Sequence, residues 1–200
     1  MSLDLNSIQN KQRVLITGNS GRHKIIKLAI HVLDHIGKPY DYYIDDTDCK
    51  LTDAPIIFID GNDEKGSDGR AKFNQYDHHI AVIHRISKEA IPEGYVSHDD
   101  YTEQYELLAD HTPKSGSIIY NKEDNVAMMV GEKERPDVHL LIYEPVENQK
   151  VADGFKVNGS IEINTTNDQF PAHLGAVKTL LNRVSVRDEQ VYDSLKTFKD

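Results

Sequence analysis

An apolar strand that runs directly into a glycine turn and then a helix is the feature that most restricts how this chain can fold. Residues 13–17 form the apolar run, and Gly18-Asn-Ser-Gly21 follows at once. The next segment has apolar residues at positions 25, 29, 32, 33 and 36, which is helical spacing, and it stops at Gly37. This order begins a β-α-β unit, in which the two strands are parallel.

The same alternation continues along the chain. It predicts further strands at 40–44, 55–60, 79–86, 117–120 and 138–143, and helices at 99–110, 122–130, 171–184 and 188–198. Such alternation indicates an α/β fold, with a mostly parallel sheet and helices on both faces. Asn158-Gly159, within 155–163, is typical of a type I′ hairpin, so we expect a small antiparallel extension at the sheet's edge. No shift in composition suggests a linker, and one domain is predicted over residues 1–200.

The acidic balance of the chain restricts its partners. Asp and Glu number 33 against 23 Lys and Arg, for a formal net charge of −10. Nucleic acid is therefore not an expected partner, because binding its phosphates requires a basic surface. No apolar run is long enough to span a membrane, and residues 1–10 have no signal-peptide pattern. The single cysteine, Cys49, excludes an internal disulfide framework, so we expect a cytoplasmic protein.

The junction between the first strand and its helix is a candidate anion site. Free backbone N–H groups and the positive end of the helix dipole meet at such a turn. The usual phosphate loop has Lys after the second glycine, then Ser or Thr for magnesium. Arg22 and His23 occupy those positions, so a phosphate contact through guanidinium is expected and magnesium is not favoured. The candidate cofactor-binding residues here are Gly18, Asn19, Ser20, Gly21, Arg22, His23 and Lys24. A plain strand-to-helix turn is the alternative.

Two carboxylates in the loop after the 55–60 strand are candidate metal ligands. Asp60 and Asp63 follow a buried strand, and the carboxyl edge of a parallel sheet is where a magnesium–phosphate complex binds. The alternative is a solvated loop with a turn at Asp68-Gly69.

A third pattern, Asp77-His78-His79 with His84 shortly after, combines residue types that bind metals. Phosphoesterases with an Asp-His-His motif carry the same tripeptide. Adjacent strand residues point to opposite faces, however, so His78 and His79 reach one ion only if the strand bends. No Asp-x-Asp follows the first strand, and a strand-entry loop is the favoured interpretation.

Taken in order, these segments resemble the central ATP-binding domain of the Mur ligases. Residues 15–24, Leu-Ile-Thr-Gly-Asn-Ser-Gly-Arg-His-Lys, are similar to the family's ATP loop, Thr/Ala-Gly-Thr-His/Asn-Gly-Lys-Thr-Thr. Residues 60–76, 81–83 and 100–121 follow in the family's order. Ala172-His173 resembles the start of its His-Asn helix, which makes His173 a further candidate nucleotide contact. The resemblance implies a P-loop-like fold related to peptidoglycan peptide ligation, with ATP or another phosphate anion as its ligand.

The departures from the family's pattern fall on functional positions. Arg22 stands where the family has the loop lysine, and His23 where it has the magnesium-binding threonine. Further family positions that hold a different residue type here are Gly61, Arg85, Glu89, Ala90, Leu174 and Val177. The family's N-terminal UDP-sugar domain and C-terminal amino-acid domain are not expected within 200 residues.

We therefore expect no catalytic residues and no ligase activity from the chain alone. The favoured hypothesis is a degenerate, non-catalytic binding or partner module, a pseudoenzyme that binds a nucleotide or phosphate or joins a protein that supplies the missing domains. One alternative is an active ATP-dependent ligase or phosphotransferase in which Arg22 replaces lysine and Asp60 and Asp63 hold the metal. The other is a phosphoesterase that uses Asp77, His78 and His79.

Overall fold

The computed structural model describes residues 3–87 and 91–199, and a seven-stranded sheet forms its centre. The strands are β1 (Gln12–Thr17), β2 (Asp41–Tyr43), β3 (Cys49–Lys50), β4 (Ile56–Gly61), β5 (Ile80–Ile83), β6 (Ser117–Asn121) and β7 (His139–Tyr143). Their order across the sheet is β3-β2-β4-β1-β5-β6-β7. All neighbouring strands are parallel except β3, which pairs antiparallel with β2. The predicted parallel sheet is confirmed.

Helices cover both faces of this sheet. They are α1 (Arg22–His35), α2 (His98–Asp110), α3 (Asn125–Glu132), α4 (Phe170–Arg183) and α5 (Asp188–Ser194). Short 3₁₀ turns lie at Leu5–Ile8, Lys72–Gln75 and Leu195–Thr197. Helices α1, α4 and α5 enclose one core, and α2 and α3 enclose the other. Among the described residues, no helix has the length and apolar character needed to cross a bilayer.

The central strand β1 shows why this sequence requires a covered sheet. Val14 and Ile16 point into the α1/α4 core, whereas Leu15 points into the α2/α3 core. All three side chains are completely buried. A strand that buries both faces is a continuous apolar run rather than an alternating one, and this is the pattern that the sequence has at this position.

The predicted hairpin forms, but the prediction that it joins the main sheet was wrong. Strands β8 (Asn148–Val151), β9 (Gly154–Val157) and β10 (Ile161–Asn164) make a separate antiparallel sheet in the order β10-β9-β8. Asn158 and Gly159 have φ of 48° and 73°, the left-handed values that a type I′ turn needs. The ribbon stands apart because its apolar side chains, among them Phe155 and Val157, bury into the α1/α4 core.

The third helix begins three residues later than predicted, at Asn125. The Asp124 side chain accepts hydrogen bonds from the backbone N–H groups of Val126 and Ala127, at 3.1 and 2.8 Å. An aspartate that caps these free N–H groups sets the first turn of a helix. The short strand β3 was not predicted, since two residues carry no periodic signal.

Candidate functional site

The candidate site lies at the carboxyl ends of β1, β4 and β5. The connection after β1 leads to β2 on one side of β1, whereas the connection after β5 leads to β6 on the other side, so a topological switch point lies between β1 and β5. Ligands of open α/β sheets bind at such a switch point. The loop 18–21, the acidic loop with Asp60 and Asp63, and the segment 84–87 meet here.

Arg22 is the centre of an ion-pair network at this edge of the sheet. Its Nε donates to Asp60 Oδ1 at 2.8 Å, and its Nη1 donates to the Gly18 carbonyl at 3.0 Å and lies 3.4 Å from Asp63 Oδ1. His23 Nε2 lies 3.1 Å from the same Asp60 oxygen. The Asp60 and Asp63 side chains are 4% and 6% exposed, and that of Arg22 is 18% exposed. The guanidinium is thus held inside the protein by two buried carboxylates.

Tyrosine hydroxyls complete the environment of Asp63. Tyr101 donates to Asp63 Oδ2, and Tyr95 donates to the Asp63 backbone carbonyl at 2.6 Å. The hydroxyls of Tyr101 and Tyr105 are 2.9 Å apart. Burial and the neighbouring Asp63 raise the pKa of Tyr101, so this phenol remains a proton donor. Both carboxylate oxygens of Asp63 therefore already have partners within the chain.

Burial also acts on Asp60, and here it opposes the ion pair. Burial raises the pKa of the Asp60 carboxyl above its ordinary value, while the charges of Arg22 and His23 act to lower it. The raised pKa of Asp60 therefore means that the loss of water outweighs the lowering effect of its neighbours.

The 18–21 loop is fixed to the segment that follows β5. Asn19 N donates to the Arg85 carbonyl at 2.9 Å. The Asn19 side chain donates to the Ser87 carbonyl at 2.9 Å and accepts from the Ser87 N–H at 3.0 Å. Three hydrogen bonds therefore hold the loop on this side. Glu89 and Ala90, two of the positions at which the sequence was compared with the Mur ligases, fall outside the described residues.

Two histidines approach the loop from inside at Gly21. Gly21 has φ of 80°, and a Cβ at this position would lie 2.5 Å from His173 Nε2 and 2.7 Å from His84 Nε2. His84 Nδ1 pairs with the Tyr143 hydroxyl, and His173 Nδ1 lies 3.0 Å from Asn167 Nδ2. The structure thus brings His173 to the loop, next to His84, so only glycine fits between the two rings.

A small pocket of about 190 Å³ lies beside the loop, between α1 and α4. Its rim is cationic and its floor is apolar. The lining residues are Lys24, Lys27, Leu28, Asn167, Phe170, His173, Phe198 and Lys199. Such a lining can accommodate an anionic group and a flat ring.

The Asp77-His78-His79 segment lies at the amino end of β5, on the opposite edge of the sheet. His78 is buried, and its Nε2 bonds to Thr112 Oγ1 at 2.9 Å. His79 Nδ1 accepts from the Arg13 N–H at 3.1 Å. The rings of His78 and His79 have different partners, and no group of three metal-ligating side chains occurs among the described residues.

The buried histidines predict a loss of stability in acid. Burial lowers the pKa of His84 to about 3, against a usual value near 6.5. The unfolded chain therefore binds more protons, and stability that is complete above pH 6.5 declines as the pH falls towards 3. We expect the free energy of unfolding to drop by about 2 kcal/mol between pH 6.5 and 4.5 through His84. Urea unfolding at both pH values measures this change in the free energy of unfolding.

A matched pair of variants isolates this contribution. His84→Gln should reduce the pH dependence by about 2 kcal/mol, and His98→Gln, at an exposed position, is the control for a histidine that folding does not bury. The same pH dependence in wild type and His84→Gln would contradict this account of the buried imidazole.

Comparison with solved structures identifies the fold. No protein-family model and no curated protein matches the chain. A Neisseria meningitidis ligase, UDP-N-acetylmuramate:L-alanyl-γ-D-glutamyl-meso-diaminopimelate ligase, is 15% identical with a TM-score of 0.78 over 98% of this chain and 68% of its own. The fold is that of the Mur ligase central domain.

Solved structures of other Mur ligases are similar to the chain in the same way. A murein peptide ligase from Psychrobacter arcticus is 14% identical with a TM-score of 0.68, over 96% of this chain and 48% of its own. The UDP-N-acetylmuramate–alanine ligase of Thermotoga maritima is 16% identical with a TM-score of 0.65, over 94% and 45%. The chain spans about half the length of these two ligases.

The Mur ligase fold implies a site for ATP and for a magnesium ion. The residues of this domain do not fit a magnesium site. Asp60 and Asp63 are bonded to Arg22, and His23 has no hydroxyl oxygen to offer a metal that prefers oxygen ligands. The sequence resemblance assigns Gly61 to the position of the family's acidic-loop glutamate. A Cβ there would lie 2.4 Å from Thr17 Cγ2, so a larger side chain has no room.

Proposed function

We propose that this Mur ligase-like domain does not transfer phosphate and serves as a non-catalytic binding or partner module. The observation that carries the proposal is the position of Arg22, whose guanidinium is bonded to Asp60 and lies 3.4 Å from Asp63. Phosphoryl transfer depends on cations that are aimed at the developing charge. A cation that two buried carboxylates already neutralise does not serve that purpose.

The balance of charges around Arg22 supports the same conclusion. Asp60 and Asp63 together carry two negative charges when ionised, against the one positive charge of Arg22. A triphosphate at the loop would add negative charge beside them, and at low dielectric this repulsion is strong. Magnesium would offset it in a working site, but its two candidate ligands are engaged with Arg22.

The pocket beside the loop supports a binding role for this module. Its volume of about 190 Å³ is below the roughly 300–1,000 Å³ of typical ligand pockets, so it suits a single ring or one phosphate group. Lys27 and Lys199 contribute positive charge to the rim, and Phe170 contributes apolar surface to the floor. ATP or another phosphate-bearing anion, bound without metal and with only one ring or one phosphate group inside this pocket, is the proposed ligand class. A link to peptidoglycan peptide ligation rests on the fold alone.

An active ligase with an altered site is the competing proposal. It requires Asp60 and Asp63 to leave Arg22 and bind magnesium, with Arg22 turning towards the phosphates. That rearrangement breaks the 2.8 Å bond between Arg22 Nε and Asp60 and removes the Tyr101 hydroxyl from Asp63. The two proposals differ in whether magnesium improves nucleotide binding.

Magnesium should not tighten the binding of ATP. We expect dissociation constants within about threefold of each other in magnesium and in chelator, a difference below about 0.7 kcal/mol. Isothermal titration calorimetry with ATP under the two conditions measures this, with Lys27→Ala as a variant that should weaken binding in both. A tenfold gain with magnesium, about 1.4 kcal/mol, would instead favour the altered ligase.

A further inference from the structure

We infer that the outer edge of β7 is a docking site for an extended, basic segment of a partner protein, which adds a strand to the sheet. Such strand addition uses backbone hydrogen bonds for affinity and side-chain contacts for specificity. The inference rests on the proposed role as a partner module, and it does not require the loop to bind a nucleotide.

The backbone of β7 is paired on one side. The His139 N–H and the Tyr143 carbonyl bond towards β6 and the residues beside it. Successive residues of a strand direct these groups to opposite sides, so the N–H and C=O groups of Leu140 and Ile142 face away from the sheet. No strand of the described part of the chain pairs with them. The edge offers two donors and two acceptors to an incoming strand.

The two edges of the sheet differ in how they are protected. At one end, β3 consists only of Cys49–Lys50, is exposed and ends in a lysine. At the other end, β7 reads His-Leu-Leu-Ile-Tyr, with no lysine, proline or carboxylate, and Ile142 is 46% exposed. Proteins protect free edges with short strands, charges and prolines. The first edge has these features, whereas β7 itself has no lysine, carboxylate or proline, and Glu144-Pro145 come only after its last residue. This difference supports a partner at β7.

A groove beside β7 is large enough for part of this partner segment. The open groove has a volume of about 520 Å³ and runs from Ile142 through Glu147 along α4 and α5. Lys178 and Asp188 form part of its wall, with their charged atoms 2.9 Å apart. Five residues of extended chain cover about 17 Å, which matches the length of β7.

The charges around the groove favour a basic partner. Lys178 is paired with Asp188, and Lys122 Nζ lies 3.1 Å from Glu144 Oε2, so these cations are neutralised. Glu147 lines the groove, is exposed, and has no ion pair within the described residues. The formal net charge of −10 also opposes pairing of β7 with a second copy of the chain.

The test uses a fluorescent nine-residue peptide of alternating valine and lysine, and a control peptide with glutamate in place of lysine. We expect the lysine peptide to bind at least ten times more tightly, and to slow deuterium exchange at Leu140 and Ile142. Ile142→Pro removes one outward N–H without breaking a bond to β6, and it should weaken binding tenfold or more. Ile142→Thr keeps that N–H and should bind within about twofold of wild type.

Glu147→Lys leaves the backbone unchanged and should also weaken binding of the lysine peptide, which keeps the test valid if the proline variant does not fold. Equal binding of the two peptides, or unchanged affinity in both Ile142→Pro and Glu147→Lys, would overturn the inference. So would a wild-type dimer in light scattering that Ile142→Pro converts to a monomer, because a second copy would then cover the edge. Ligase activity in a parallel assay would refute the proposed function whatever the peptide does.

Discussion

Replacing Arg22 with alanine will destabilise the protein by about 3 kcal/mol, because it leaves two buried carboxylates without their cation. The Asp60 and Asp63 side chains are 4% and 6% exposed, so water does not replace the guanidinium. In an ordinary phosphate loop the equivalent cation serves the ligand, and its removal mainly affects binding. Urea unfolding followed by circular dichroism measures the change.

A surface ion pair supplies the matched control for this variant. Arg70 Nε lies 2.9 Å from Asp68 Oδ2 in the same acidic loop, but both side chains are more than half exposed. Arg70→Ala should therefore cost less than about 1 kcal/mol. Adding Asp60→Asn and Asp63→Asn to Arg22→Ala should recover part of the lost stability, since the unpaired charges are then gone. Equal losses of stability for Arg22→Ala and Arg70→Ala would show that Arg22 does not stabilise the two buried carboxylates.

The order of elements could be predicted from the sequence because each buried strand is a continuous apolar run. β1 and β4 bury both faces, so their composition alone distinguishes them from surface strands. The separate position of the small sheet could not be predicted in the same way. β8 is mostly exposed and polar, and the turn at Asn158-Gly159 specifies a hairpin without specifying what the hairpin packs against.

Part of the candidate site was also predictable. Asp60 and Asp63 follow β4, and the 18–21 loop follows β1, so a parallel sheet brings them to one edge. The pairing of Arg22 with both carboxylates depends on side-chain positions that no spacing encodes. The sequence predicts that Arg22 contacts a phosphate, whereas in the structure its guanidinium pairs with the carboxylates of Asp60 and Asp63.

The residues that sequence reasoning missed are those without a local pattern. Tyr101 reaches Asp63 from α2, across 38 positions of sequence, and nothing near either residue signals the contact. His84 is close to His78 and His79 in the sequence, but it lies at the other end of β5 from them. Counting along β5 would have placed His84 at the carboxyl edge, next to the loop after β1.

The largest expected effect is on phosphoryl transfer itself. Loss of one group that stabilises the transferring charge commonly costs about 100-fold or more in rate. In this domain Arg22 is held by carboxylates. The sequence resemblance further implies that His23 replaces a residue with a hydroxyl group and that Gly61 replaces a glutamate. We therefore expect ADP release at the background rate in the presence of ATP, magnesium and ligase substrates.

The measurement that tests this account most directly is ADP release from ATP and magnesium, with UDP-N-acetylmuramate and either L-alanine or a murein peptide. A full-length murein peptide ligase assayed in parallel establishes that the substrates are competent. The account predicts a rate for this chain that equals that of a heat-killed sample. Substrate-dependent ADP release above that control, from the chain alone or after addition of a second chain, would contradict it and identify an active ligase or a subunit of one.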